Sequence, residues 1–158
     1  VGGGLDGAGD PFERFVDAMN ARAAALGLGS TRYRNPHGLT AEGGGSTARE
    51  IARLAREAWK HDLFREIVGT RRRTAVLENV DGYRREVVWN NTNRLLGIEG
   101  YDGIKTGTTT PAGCCLAATA ERGGRRLIVV VLGSTSTESR YADARNLFRH
   151  AWRTLGVE

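Results

Sequence analysis

Only two of the chain's 23 basic residues are lysines, and one of them opens the tripeptide Lys105-Thr106-Gly107. These residue types suit acyl transfer. An ammonium supplies positive charge beside a nucleophile or a substrate carboxylate. A threonine hydroxyl hydrogen-bonds that carboxylate. A glycine leaves the strand bare, so substrate can lie against it. Backbone N–H groups on such a strand can stabilise an oxyanion. Taken alone, the tripeptide fits a second reading as well, a surface lysine beside a glycine bend. A chain with this many threonines and glycines meets it by chance roughly one time in forty.

Other reactive side chains form no constellation. His37 lies in Asn35-Pro36-His37-Gly38. With no Gly-x-Ser-x-Gly elbow to serve, it is expected to fix a loop by a hydrogen bond rather than to act in a triad. His61 and His150 are expected to be exposed or satisfied. Glu13, Asp17, Glu42 and Glu50 have no paired-carboxylate spacing, and no metal set is evident. Cys114 and Cys115 are adjacent, which disfavours a disulfide between them, and read as small apolar fillers. Trp59, Trp89 and Trp152 read as packing residues.

The elements that must position Lys105 belong to one domain of 158 residues and 17.1 kDa. Hydrophobic residues make up 40% and charged residues 26%, a globular mix. No apolar run approaches the roughly 18 residues of a membrane span. The net charge of +5 permits an anionic partner without selecting one. The cluster Arg71, Arg72 and Arg73 is expected to be a solvated strand start or loop.

Residues 1–10 are Gly-rich and expected to be flexible. Asp10 and Pro11 cap and open a helix with Phe12, Phe15, Val16, Met19, Ala23 and Leu26 on its apolar face. A long loop follows over 30–45. Ser46 or Thr47 caps a second helix, with Glu50 placed for a capping box and Ile51, Leu54, Ala55 and Ala58 apolar. A short further turn spans 63–68. Strands are expected at 71–77 and 83–89 around the turn Asn79-Val80-Asp81-Gly82. A loop over 90–100 is anchored by Leu95 and Leu96. Three strands follow at 103–108, 113–121 and 127–132. Thr137 or Ser139 then caps a helix with Tyr141, Ala144, Leu147, Phe148, Ala151 and Trp152 on one face. The class is α+β (mixed α/β), an antiparallel sheet with packed helices.

The order of landmarks resembles the serine-type D-alanyl-D-alanine carboxypeptidases, the low-molecular-mass penicillin-binding proteins. The matching stretches are Phe15-Val-Asp-Ala-Met-Asn20, Ala25-Leu-Gly-Leu28, Asn35-Pro-His-Gly-Leu39, Ser46-Thr-Ala48, Asn91-Thr-Asn-Arg-Leu-Leu96 and Asp102-Gly-Ile-Lys-Thr-Gly-Thr108. Ala112-Gly113 and the run from Leu127 to Gly133 continue the pattern. They keep the family's order over nearly the whole chain.

The resemblance implies the fold shared by penicillin-binding proteins and serine β-lactamases. It implies hydrolysis of the terminal D-Ala-D-Ala bond of peptidoglycan stem peptides through an acyl-serine intermediate, without a cofactor or metal. Lys105, Thr106 and Gly107 become the active-site strand motif. The Thr108 N–H becomes half of the oxyanion hole. Thr106 and Arg140 hold the substrate carboxylate; a plain helix N-terminal arginine in water is the other reading of Arg140. β-Lactams would acylate the complete enzyme. The protein would be exported, to the periplasm or cell envelope of a bacterium. Nucleic acid is not an implied partner, and membrane association would come from other parts of the full protein.

The chain departs from the family in one respect. The nucleophile motif Ser-x-x-Lys and the second motif Ser-x-Asn are absent, since Ser30, Ser46, Ser134, Ser136 and Ser139 all lack a lysine three residues on. In the family both lie N-terminal to the Phe-Val-x-x-Met-Asn stretch. The expectation is therefore the C-terminal portion of one catalytic domain, with its N-terminal portion missing and inactive by itself. A serine β-lactamase is a near alternative. A non-catalytic module that binds wall peptides or another anionic partner is the rival from a different class.

Overall fold

The computed structural model describes residues 9–157. The glycine-rich opening lies, over 1–8, outside them. The elements run α1 (Pro11–Ala25), α2 (Ala48–Ala58), α3 (Asp62–Gly69), β1 (Arg72–Glu78), β2 (Arg84–Asn90), β3 (Tyr101–Thr109), β4 (Gly113–Arg122), β5 (Arg125–Ser134) and α4 (Thr137–Thr154). β1 and β2 form a separate two-stranded antiparallel ribbon. β3, β4 and β5 form an antiparallel sheet in that order, so β3 and β5 are its edges among the described residues. The architecture is the expected mixture of helices and antiparallel sheet.

Local chemistry explains the element boundaries. The Asp10 carboxylate accepts from the Phe12 N–H at 3.0 Å and caps α1, with Pro11 at its first position. The Thr47 hydroxyl accepts from the Glu50 N–H and caps α2. Gly123 and Gly124 both take positive φ between β4 and β5, the conformation a tight two-residue hairpin needs.

The sheet separates two apolar clusters. Leu116, Ala118, Ala120, Val129 and Val131 meet Tyr141, Ala144, Phe148 and Trp152 of α4. Phe148 and Trp152 stack with ring centroids 5.2 Å apart. On the other side Ala117 and Ile104 meet Ala55 of α2, with Trp59, Phe64 and Val68 around them. The run of small residues in β4 lets helices approach both faces. Cys114 is buried, Cys115 half-buried, and both are free thiols.

Several expectations need correction. Residues 62–69 are a helix rather than one turn. The loop expected over 90–100 contains a 3₁₀ turn at Arg94–Gly97, whose Leu95 is buried. Ser136 caps α4 in place of Thr137 or Ser139, its hydroxyl accepting from the Ser139 N–H. Leu147 is exposed, as are Phe12 and Phe15 of α1. A helical period identifies a stripe, but which part of it is covered depends on what packs there. The capping box is half made. The Glu50 carboxylate turns away from Thr47 and accepts instead from the Ser30 N–H and the Thr31 hydroxyl.

Candidate active site

β3 presents Lys105, Thr106, Gly107 and Thr108 on an edge strand, paired with β4 through Lys105↔Ala117, Thr106↔Leu116, Gly107↔Cys115 and Thr108↔Cys114. In an antiparallel edge strand alternate backbone N–H groups point away from the neighbour and stay free for another chain. Lys105 is exposed, and its ammonium donates to the Thr106 carbonyl oxygen. Gly107 is exposed too. A Cβ built on it would meet no atom within 4 Å, so the bare strand surface faces open space.

Thr106 has a partner that sequence reasoning did not single out. Its hydroxyl lies 2.6 Å from the Thr92 hydroxyl. Thr92 is held from both sides. The Asn91 side chain donates to the carbonyls of Val68 and Thr70 at the end of α3. The Tyr141 hydroxyl, reaching over from α4, donates to the Thr92 carbonyl at 3.0 Å and accepts from the Arg94 N–H at 3.1 Å. The signal was present in Asn91-Thr92-Asn93. Two amides around a threonine are able to pin a turn by their side chains.

Arg140 comes to the same strand from behind. It is only 5% exposed, so it is not a helix N-terminal arginine in water. One guanidinium nitrogen donates to the Gly107 carbonyl and the Thr108 hydroxyl, both at 3.3 Å, and to the Cys115 carbonyl at 3.1 Å. The guanidinium also lies over the Tyr141 ring, 5.0 Å from its centroid. No carboxylate pairs with Lys105 or Arg140 among the described residues. Two cations without a carboxylate partner, Lys105 on β3 and Arg140 reaching it from α4, favour an anionic group there.

The long loop over 30–45 borders this strand. His37 fixes it as expected, Nδ1 accepting from the Leu39 N–H at 3.2 Å. The Asn35 side chain bonds the Gly38 N–H and the Leu39 carbonyl. The Thr40 hydroxyl then meets that of Thr109, at the end of β3, at 2.6 Å. Glu50 anchors the loop's start. Its carboxyl is held below the usual glutamate range, first by the Thr31 hydroxyl and next by the Ser30 N–H. His61 and His150 are exposed. No group of histidine, cysteine or acidic residues able to hold a metal is found among the described residues.

Comparison with known proteins gives the family and the fold. The family model described as D-alanyl-D-alanine carboxypeptidase matches residues 8–136. The D-alanyl-D-alanine carboxypeptidase DacF of Bacillus subtilis is 38% identical over 141 residues, which are 89% of this chain and 35% of that protein. The crystal structure of the Streptomyces K15 DD-transpeptidase superposes with a TM-score of 0.85 at 35% identity, covering 89% of this chain and 55% of that one. Penicillin-binding protein D2 of Listeria monocytogenes, in its cefotaxime-bound form, gives a TM-score of 0.71 at 34% identity over 92% of this chain and 56% of that one. The chain thus spans about a third to a half of the proteins it matches, and it has the fold of that part of the penicillin-binding DD-peptidases.

Proposed function

The chain belongs to the D-alanyl-D-alanine carboxypeptidase family, and from that premise we propose that it is the strand-motif part of a serine-type D-Ala-D-Ala carboxypeptidase acting on peptidoglycan stem peptides outside the cytoplasmic membrane. The observation that carries this reading is the edge strand β3, with Lys105, Thr106 and Thr108 along it and Arg140 bonded to Gly107 and Thr108.

A stem peptide laid beside Gly107 adds a short strand to the free edge of β3. Its terminal carboxylate meets the Thr106 hydroxyl and the positive charge of Arg140. Thr92 helps hold the Thr106 hydroxyl in place. The scissile carbonyl oxygen lies against the Thr108 N–H, which stabilises the negative charge that grows there. Lys105 supplies positive charge and assists proton transfer beside the nucleophile.

The nucleophile itself is not among these 158 residues. Three positions before Lys60 stands Glu57, and before Lys105 stands Asp102, so no Ser-x-x-Lys exists in the sequence. A serine from the rest of the protein attacks the carbonyl, and D-alanine leaves with a proton. Water then releases the acyl group. β-Lactams acylate the same serine in the complete protein.

The test is to label the native protein in its source with a fluorescent penicillin and map its peptides. The expected product is a labelled polypeptide heavier than 17.1 kDa, containing both this sequence and a Ser-x-x-Lys peptide. Lys105→Ala in that protein should slow acylation by about 10²–10⁴-fold. An unlabelled native polypeptide of the chain's own mass would overturn catalysis. The missing nucleophile motif would then favour the second reading, a module that binds wall peptides without cleaving them.

A further inference from the structure

Beside the turn that carries Thr92, the β1–β2 ribbon and α3 expose apolar side chains next to arginines. In an antiparallel pair, directly opposed residues share a face. The register pairs Arg73 with Trp89, Ala75 with Val87, and Leu77 with Arg85. These six residues form one side of the ribbon, and none of them is acidic. Trp89 is 54% exposed there. Beside it, Leu63 and Ile67 of α3 are one turn apart and 67% and 61% exposed. Together with Arg73 and Trp89 they line a shallow hollow of about 420 Å³ whose one acid is Glu66.

Basic residues ring this face. Arg71, Arg73 and Arg85 are all exposed, and no ion pair engages them among the described residues. A large exposed apolar surface on a domain marks a binding surface more often than chance packing. A tryptophan flanked by arginines and backed by aliphatic side chains matches the boundary between lipid headgroups and acyl chains, where an amphipathic ring and cationic side chains are both satisfied. A purely polar polyanion would leave Leu63, Ile67 and Trp89 in water. A purely apolar partner would leave the arginines without counter-charge.

We propose that this face seats the protein on an anionic lipid bilayer, with Trp89, Leu63 and Ile67 entering the headgroup–acyl boundary and Arg71, Arg73 and Arg85 meeting lipid phosphates. The proposal goes beyond the catalytic reading and does not rest on it. Such contact is peripheral, since no helix among the described residues is long and apolar enough to cross a membrane.

Co-sedimentation of the full chain with phosphatidylcholine vesicles, with and without phosphatidylglycerol, tests it. Binding is expected only with phosphatidylglycerol, and it should weaken as salt rises. Each arginine removed from the ring, as in Arg73→Gln or Arg85→Gln, should weaken binding about fivefold. Leu63→Gln combined with Trp89→Gln should abolish it. These positions are exposed, and circular dichroism of each variant checks that it folds. Quenching by brominated lipid provides a readout on the unmutated chain. Trp152 is buried and Trp59 half-buried, so quenching that vanishes in Trp89→Phe and persists in Trp59→Phe places Trp89 at the bilayer. Absence of binding to phosphatidylglycerol vesicles, or binding that the patch variants leave unchanged, overturns the proposal. So does a dimer in sedimentation that Trp89→Gln dissociates while vesicles bind nothing, because the face would then belong to a second copy.

Discussion

Thr106 and Gly107 are neighbours on β3 with opposite uses of their side chains. Thr106 contributes a hydroxyl that Thr92 meets at 2.6 Å. Thr106→Val keeps the shape and removes that oxygen. Stability should hardly change, because Thr92 is exposed and water replaces the lost bond. Affinity for a peptide ending in D-Ala-D-Ala should fall on the order of ten- to a hundredfold, the worth of a hydrogen bond to a carboxylate; calorimetric titration reads it, and unchanged affinity would remove Thr106 from the site. Gly107 contributes the absence of a side chain. Its φ is not in the left-handed region and an added Cβ meets nothing, so Gly107→Ala should leave the melting temperature unchanged within error. The new methyl stands where the proposed peptide lies, and binding should weaken roughly tenfold or more. A variant that melts normally yet binds poorly separates the site from the scaffold.

Elements decide where these side chains stand, and Tyr141 links two of them. Its hydroxyl joins α4 to the Thr92 carbonyl and the Arg94 N–H. Tyr141→Phe should cost about 1–2 kcal/mol by leaving these groups poorly partnered, and should also lower peptide affinity by loosening Thr92 against Thr106. Thermal unfolding and titration on the same sample check both halves. Glu50 ties α2 to the loop over 30–45. A carboxylate whose pKa is lower folded than unfolded adds stability above its unfolded pKa, and that stability is lost as pH falls through the folded one. Glu50→Gln should therefore destabilise the chain at neutral pH, with the gap to the unmutated chain closing as pH drops through the carboxylate range in chemical denaturation. Neither contact was legible in the sequence. Glu50 fits a capping box, and only the tertiary approach of Ser30 and Thr31 draws it elsewhere. Thr92 and Thr106 are fourteen residues apart, brought together by side-chain pins that no period reveals. By contrast β3, β4 and β5 were legible because glycine turns bound them, and Lys105-Thr106-Gly107 stood out because its residue types suit the proposed chemistry. α3 was read short, since eight residues hold too few turns for a clear helical period.

At the scale of the molecule, cohesion is concentrated in one place. β4 is paired on both sides, and Leu116, Ala117, Ala118, Thr119 and Ala120 are buried in succession. Phe148, stacked on Trp152 and edge-on to Tyr101, closes the side facing α4. The β1–β2 ribbon has no such backing. Only Ala75 and Val87 escape full exposure along its two strands, and a two-stranded ribbon is marginal without a packed face. Amide exchange should therefore be graded. Amides of β4 and the middle of α4 should exchange only by global unfolding, and those of the ribbon by local opening at far lower free energy. Native-state hydrogen exchange followed by mass spectrometry measures this directly. Uniform protection across β1, β2 and β4 would mean that the ribbon is coupled to the sheet by more than its pairing. The grading also joins the two proposed surfaces. The ribbon ends at Asn90, and the next residue, Asn91, holds the turn that carries Thr92. An anionic bilayer that orders the ribbon should then raise protection at Thr92 and Asn93 together with β1 and β2, while β4 stays as it was. Vesicles that protect the ribbon but leave Thr92 and Asn93 unchanged would show that lipid contact and the peptide site are energetically separate.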